Sequence, residues 1–160
     1  AWPERFEHER ARLQDAIGEW AVDIQHVGST AVPGLAAKPI IDIMPAIRSL
    51  ADARHIIAPM EALGYEYVPE FEDDLPERRY FRRGVPRSHH VHVVETTSTF
   101  WRRHLAFRDY LRAHPETAAE YAALKRRLAD GYGSDSGGYT NAKTEFITRI
   151  ERLALEGRPA

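Results

Sequence analysis

Asp42 stands inside the run Pro39-Ile40-Ile41-Asp42-Ile43-Met44, where every near neighbour is apolar. A lone carboxylate in such a run is not there for solubility. Buried and ionised, it needs an ion partner, hydrogen-bond donors or a metal to offset the loss of water. As a strand, the run turns Asp42 to one face with Ile40 and Met44, and turns Ile41 and Ile43 to the other. A structural Asp paired with a Lys or Arg fits this pattern as well as a functional acid does. Upstream, Gly28-Ser29-Thr30 follows a short alternating stretch. A glycine turn directly after a strand lets backbone N–H groups approach an anion, and the two hydroxyls add donors. Such a phosphate cradle beside a possible metal ligand is what phosphoryl-type transfer requires.

His90 and His92 are two residues apart, so on a strand they share a face, while His89 and Val91 take the other. Together with Asp42 they would offer two nitrogens and one carboxylate, a set better suited to Zn2+, Mn2+ or Fe2+ than to Mg2+. The competing reading has one imidazole bonded to a backbone carbonyl and the other filling polar space under a loop. His26, just before the glycine turn, is placed to orient it. Arg78-Arg79-Tyr80-Phe81-Arg82-Arg83 is the one basic cluster. As a strand it sends Arg79, Phe81 and Arg83 one way and Tyr80 with Arg82 the other. An inward Arg79 or Arg82 would meet a phosphate, and the remaining arginines would be solvated.

The elements that must position these groups read as follows. Pro3 to Gly18 has helical spacing of Phe6, Leu13 and Ile17, with Pro in the first turn and Gly at the end. Val22 to Val27 and Pro39 to Met44 read as strands, the second as a buried central one. Ser49 to Leu63 is a helix with Ser49 as N-cap and Gly64 beyond its end. Tyr65 to Val68, Arg79 to Arg83 and His89 to Glu95 are further strands, rich in aromatic and β-branched residues. Glu70 to Glu77 is an acidic loop. Thr99 to Ala113, Pro115 to Asp130 and Thr140 to Glu156 are helices, with Gly131 to Gly138 as a small-residue linker. Phe100, Trp101, Leu105 and Phe107 are core rather than a base-stacking platform. The order predicts an α+β fold: a small mixed β-sheet with helices on one face and a C-terminal helical segment.

At 160 residues the chain is expected to form a single domain, its sheet part about 1–97 and its helical part about 98–160. A net charge of −2 gives no electrostatic reason to expect a nucleic-acid partner. The absence of cysteine removes disulfides, thiolate metal sites and thiol nucleophiles. There is neither a long apolar run nor a signal-peptide core at Ala1-Trp2-Pro3-Glu4-Arg5, so no membrane partner and a cytoplasmic location are the expectation. Without an initiator Met, a few native residues are expected to precede Ala1.

The stretch His26-Val27-Gly28-Ser29-Thr30-Ala31-Val32-Pro33-Gly34-Leu35-Ala36-Ala37-Lys38-Pro39-Ile40-Ile41-Asp42-Ile43 resembles the signature of the GrpB family. The resemblance extends to Trp2-Pro3, the strand His89 to Val94, Phe107 to Leu111, Tyr121 with Leu124-Lys125, and Tyr139-Thr140 with Lys143. It spans nearly the whole chain. It implies a nucleotidyltransferase-like fold, and similar domains occur fused to dephospho-CoA kinase, although no kinase phosphate loop is present here. One departure matters. Active nucleotidyltransferases carry a second carboxylate two residues after the first on this strand, where this chain has Met44, a side chain that cannot bind a hard cation. Glu95 is a candidate for the missing carboxylate.

The resulting expectation is a protein that binds a nucleotide or another phosphorylated small molecule with a divalent cation, Mg2+ or Mn2+ with Zn2+ as the alternative. If active, it would catalyse nucleotidyl transfer. Gly28, Ser29 and Thr30 would cradle phosphate. Asp42 would hold the cation, with His90 and His92 completing its shell or placing the acceptor. Lys38, Arg79 or Arg82, and Tyr139 with Lys143 one helical turn later, would meet the phosphates. Lys125, also part of the resemblance, is expected to be merely solvated. Two alternatives stand beside it: a catalytically inactive binding module of the same fold, and a metal-dependent hydrolase built on Asp42, His90 and His92.

Overall fold

The structure, a computed structural model, describes residues 2–35, 39–132 and 136–156, without side chains over 129–142. The chain begins with α1 (Trp2–Ile17), whose buried residues Phe6, Glu9, Leu13 and Ile17 recur every three or four positions and so form one stripe. Strand β1 (Ala21–Val27) leads through a 3-10 turn (Ser29–Ala31) towards β2 (Ile41–Ile47). A 3-10 segment (Leu50–His55) and α2 (Ile57–Ala62) precede the short β3 (Glu66–Tyr67), β4 (Arg78–Arg83) and β5 (His89–Glu95). Helices α3 (Thr99–Ala113), α4 (Pro115–Tyr132) and α5 (Ser136–Glu156) complete the chain.

The five strands form one mixed sheet in the order β1-β2-β5-β4-β3, in which only the β2–β5 pair is parallel. That pair needs a long crossover, supplied by the chain from the 3-10 segment to β4. Ile24, Ile41, Ile43, Phe81, Val91 and Val93 pack with Leu13 and Ile17 of α1 and Met60 of α2 in one core. The middle of one sheet face is therefore an apolar core. Alternation puts Asp42, His90, His92, Tyr80 and Arg82 on the other face.

The chain divides into two compact units, Ala1–Ala31 with Ala37–Arg102, and Val32–Ala36 with Arg103–Ala160. The first holds the sheet, α1 and α2. The second has its own core, in which Val32 and Leu35 pack with Leu111, Tyr121, Phe146 and Ile150. Tyr121 and Phe146 stack at 5.3 Å between centroids, and Arg103 pairs with the buried Glu151 at 2.8 Å.

The α+β class and the mixed sheet agree with the sequence pattern, and β5 and α3 have the expected limits. The expected helix from Ser49 to Leu63 is two elements instead. Pro59 has no N–H to bond the carbonyl of His55, so the α-helix starts afresh at Ile57 with Pro59 in its first turn. Ser49 does act as a cap, its hydroxyl accepting from the Ala51 N–H at 3.2 Å. The acidic loop contains a 3-10 turn, Pro69–Glu72. Helix α5 begins at Ser136, earlier than its glycines suggest, which leaves only 133–135 of the expected linker outside the described residues.

Candidate functional site

Asp42 owes its position to strand register. On β2 it lies opposite Val27 on one side and His90 on the other, and His90 in turn lies opposite Arg82. One carboxylate oxygen, Oδ1, receives His92 Nε2 at 3.1 Å and has His90 Nδ1 at 3.4 Å. Burial pushes the Asp42 carboxyl up, but the hydrogen bonds from the His90 and His92 imidazoles outweigh it, so the net result lies well below the usual carboxylate range. The group is thus a fixed anion.

The proton on His92 can be assigned from its neighbours. Arg78 Nη1 lies 3.4 Å from His92 Nδ1, and a guanidinium only donates. Nδ1 is therefore the acceptor, and Nε2 carries the proton given to Asp42. Burial holds the His92 pKa below its ordinary value against the pull of Asp42, which keeps the ring neutral. Tyr80, its phenol pKa raised by burial and by the Asp42 charge, packs between the two imidazoles at 5.6 and 5.4 Å from His90 and His92. Phe100 covers His92 at 5.9 Å. Arg78 lies over Tyr80 and Phe100 and has a buried Nε with no hydrogen-bond partner. This arginine was missed in the sequence reading. Its signal was available: it is four residues before Arg82 on the same strand, hence on the same face.

Gly28 closes the site from the β1 side. It has φ +76, and a Cβ built on it would lie 2.5 Å from Asp42 Oδ2. Only glycine lets the turn approach the acid this closely. His26, buried on β1, bonds Thr30 Oγ1 at 2.8 Å through Nε2 and stacks on Phe6 at 4.8 Å. It does orient the turn. The cost is that the Thr30 hydroxyl, expected to face a phosphate, is turned into the buried interior instead. Ser29 remains partly exposed beside it.

Arg82 shares the face of His90 but is paired at 2.7 Å with the exposed Glu66. Arg79 is a correction. Its strand parity is that of Phe81 and Arg83, so it takes the opposite face, where it pairs with Glu72 at 3.4 Å and bonds the Pro76 carbonyl. Glu95 is a second correction, since it has the parity of Val91 and Val93 and accepts from the Leu50 N–H at 3.2 Å. Lys38 and the Tyr139 side chain lie outside the described residues. Lys143 is a half-buried residue of α5 in the second unit, and Lys125 there lies over the Tyr121 ring at 5.1 Å.

A resident divalent ion does not fit the residues as they stand. The next inward position on β2 is Met44, wholly buried and without a hard ligand. Both imidazoles converge on the same carboxylate oxygen, which makes Asp42, His90 and His92 a hydrogen-bonded cluster rather than a ligand shell. Among the described residues, no group of three or more His, Asp or Glu side chains is arranged to hold a metal.

The combination defines a class: a mixed α+β sheet with a glycine turn after its edge strand and a lone acid on the adjoining strand. The chain belongs to the GrpB family, described as "GrpB protein", which it matches over residues 1–153. It is 42% identical over 154 residues to the UPF0157 protein YqkA of Bacillus subtilis, covering 96% of this chain and 44% of that one. It is likewise 42% identical over 160 residues to the UPF0157 protein PA4798 of Pseudomonas aeruginosa, covering 97% and 64%. The chain thus spans less than two thirds of the length of these two relatives. Its fold is similar to the crystal structure of conserved protein GrpB from Enterococcus faecalis, with TM-score 0.86 and 40% identity over 98% of this chain and 93% of that one. No helix among the described residues is long and apolar enough to cross a membrane.

Proposed function

We propose that the Asp42 face binds a nucleotide or another phosphorylated small molecule in the manner of a nucleotidyltransferase. The observation that carries this reading is the contact of the Gly28 turn with Asp42 Oδ2. A phosphate meets the backbone N–H groups and Ser29 hydroxyl of the turn. Asp42, a fixed anion, repels phosphate itself and instead takes a hydroxyl, an amine or the cation that a polyphosphate carries. Mg2+ or Mn2+ is then a companion of the ligand, and Arg82, released from Glu66, is a guanidinium on the same face for its phosphates. Lys38 completes the proposal as a further phosphate contact. Nucleotidyl transfer is the reaction this arrangement most closely fits.

One observation favours a second reading, binding without turnover. Met44 fills the place of the second carboxylate and is sealed in the core. Either reading is tested by a thermal-shift screen of nucleotides and CoA precursors with and without Mg2+, Mn2+ and Zn2+. CoA precursors are included because a dephospho-CoA kinase of Mycolicibacterium paratuberculosis contains a stretch 31% identical to this chain. A ligand at a hundred times its Kd adds about 2.7 kcal/mol of stability. The expected result is stabilisation of the parent chain that Asp42→Asn removes without loss of fold. Equal stabilisation of the variant, checked by calorimetry, overturns the assignment of Asp42. Turnover of the bound nucleotide decides between the two readings.

A further inference from the structure

The opposite face of the sheet unit carries a second polar cluster that the Asp42 site does not use. Arg5, His8, Glu9 and Arg12 follow one another at helical spacing along one side of α1. Arg83 of β4 and His89 of β5 meet them around a cleft of about 340 Å³. Glu9, 2% exposed, is the floor of this cleft. Its carboxylate accepts from Arg83 Nη1 and Nη2 at 3.1 and 3.0 Å and from Arg12 Nη1 at 3.1 Å. His89 Nε2 sits 3.7 Å from the same carboxylate. Burial, with the Arg83 charge adding, lowers the His89 pKa to about 4, so this ring is neutral near pH 7.

Charge is left over at the mouth. Arg12 gives only Nη1 to Glu9, and its side chain is 37% exposed. Arg5 has no acidic partner among the described residues, and its guanidinium lies 5.0 Å over the Trp2 ring. Glu4 is the one other carboxylate on the cleft wall. Arg5, Arg12 and Arg83 therefore exceed Glu4 and Glu9 by one charge, three against two; Arg83 is committed to Glu9, the Leu63 carbonyl and His89, so the exposed Arg5 and the part-exposed Arg12 carry the excess. Planar guanidinium forks held in place by a buried carboxylate and an aromatic ring suit a tetrahedral oxyanion.

We propose that this cleft is a second binding site, specific for a phosphate group and separate from the Asp42 face. Strand alternation separates the two sites, since His89 and Arg83 point one way and His90 and Arg82 the other. The ligand is free phosphate or a phosphomonoester, and the Arg5 and Arg12 guanidiniums with His8 bind it while Arg83 and Glu9 hold the floor rigid.

Imidazole NMR of the full chain resolves the two faces. Inorganic phosphate, ribose 5-phosphate and acetate are titrated separately at constant ionic strength, with the His89 resonances as reporter. Saturable His89 shifts with the phosphates and not with acetate are expected. Tighter binding of ribose 5-phosphate assigns the site to a phosphomonoester, and tighter binding of inorganic phosphate to the free ion. Arg5→Gln combined with His8→Gln alters only exposed side chains and is expected to weaken the response by about tenfold, as lost charge-assisted hydrogen bonds require. Asp42→Asn is expected to leave it unchanged, whatever becomes of nucleotide binding. The proposal is overturned by unshifted His89 resonances, by an equal response to acetate, by full response in the double variant, or by loss of response in Asp42→Asn.

Discussion

Gly28 and Asp42 constrain one another by contact, and that contact is the most sensitive point of the site. A methyl group at Gly28 meets Asp42 Oδ2 at 2.5 Å and also has to tolerate φ +76. Left-handed backbone and close contact together cost about 1–3 kcal/mol for a residue with a Cβ. Gly28→Ala is therefore expected to lower the urea midpoint and to swing Asp42 away from His92, weakening ligand binding more than the lost stability explains. A variant that binds like the parent shows that the close approach is not used. His92 adds a different constraint. Arg78 fixes its tautomer, and that tautomer gives Asp42 a donor at Nε2.

Helix α1 is joined to the sheet by more than its apolar stripe. Glu9 sits within that stripe between Phe6 and Leu13, yet it is ionically tied to Arg83 of β4. Removing one partner of a buried ion pair strands the other without water, at a cost of about 3–5 kcal/mol. Glu9→Ala is expected to destabilise the fold by that order in chemical denaturation. A loss below about 1 kcal/mol, the usual worth of a surface pair, indicates that Arg83 finds water instead. The same contact sets the position of β4, and through the register of β4 on β5 it sets where Tyr80 and Arg78 stand beside His92.

At the scale of the molecule, net charge near zero hides a set of histidines that folding holds neutral. His89 is lowered to about 4 and His92 is lowered as well, both chiefly by burial. An unfolded chain binds these protons near pH 6.5 and the folded one does not. Unfolding is then favoured as pH falls from about 6.5 towards 4, with His89 contributing about 3 kcal/mol at most. Asp42 adds an acid limb of its own, since its depressed pKa contributes stability that is lost only at lower pH. Stability measured by denaturant titration is expected to decline between pH 7 and 4, and His89→Gln to flatten that decline. An unchanged slope in the variant means that His89 is protonated in the folded state.

The local pattern of residues was enough to place the elements and to single out Asp42. An acid among isoleucines, a glycine turn after a strand and histidines two apart are statements about period two, which a single chain displays. What it could not display was register. Whether Asp42 meets His90, which face of β4 lies beside them, and whether Thr30 serves a ligand or His26 all depend on which residues stand opposite across strands far apart in sequence. The Glu9 cluster was invisible for the same reason. On a helix wheel Glu9 breaks the apolar stripe, and only packing against β4 and β5 supplies the guanidinium and imidazole that let a carboxylate stay buried. Periodicity is a local property of covalent geometry, whereas the pairing of charges out of water is settled only when the sheet and helix close on each other.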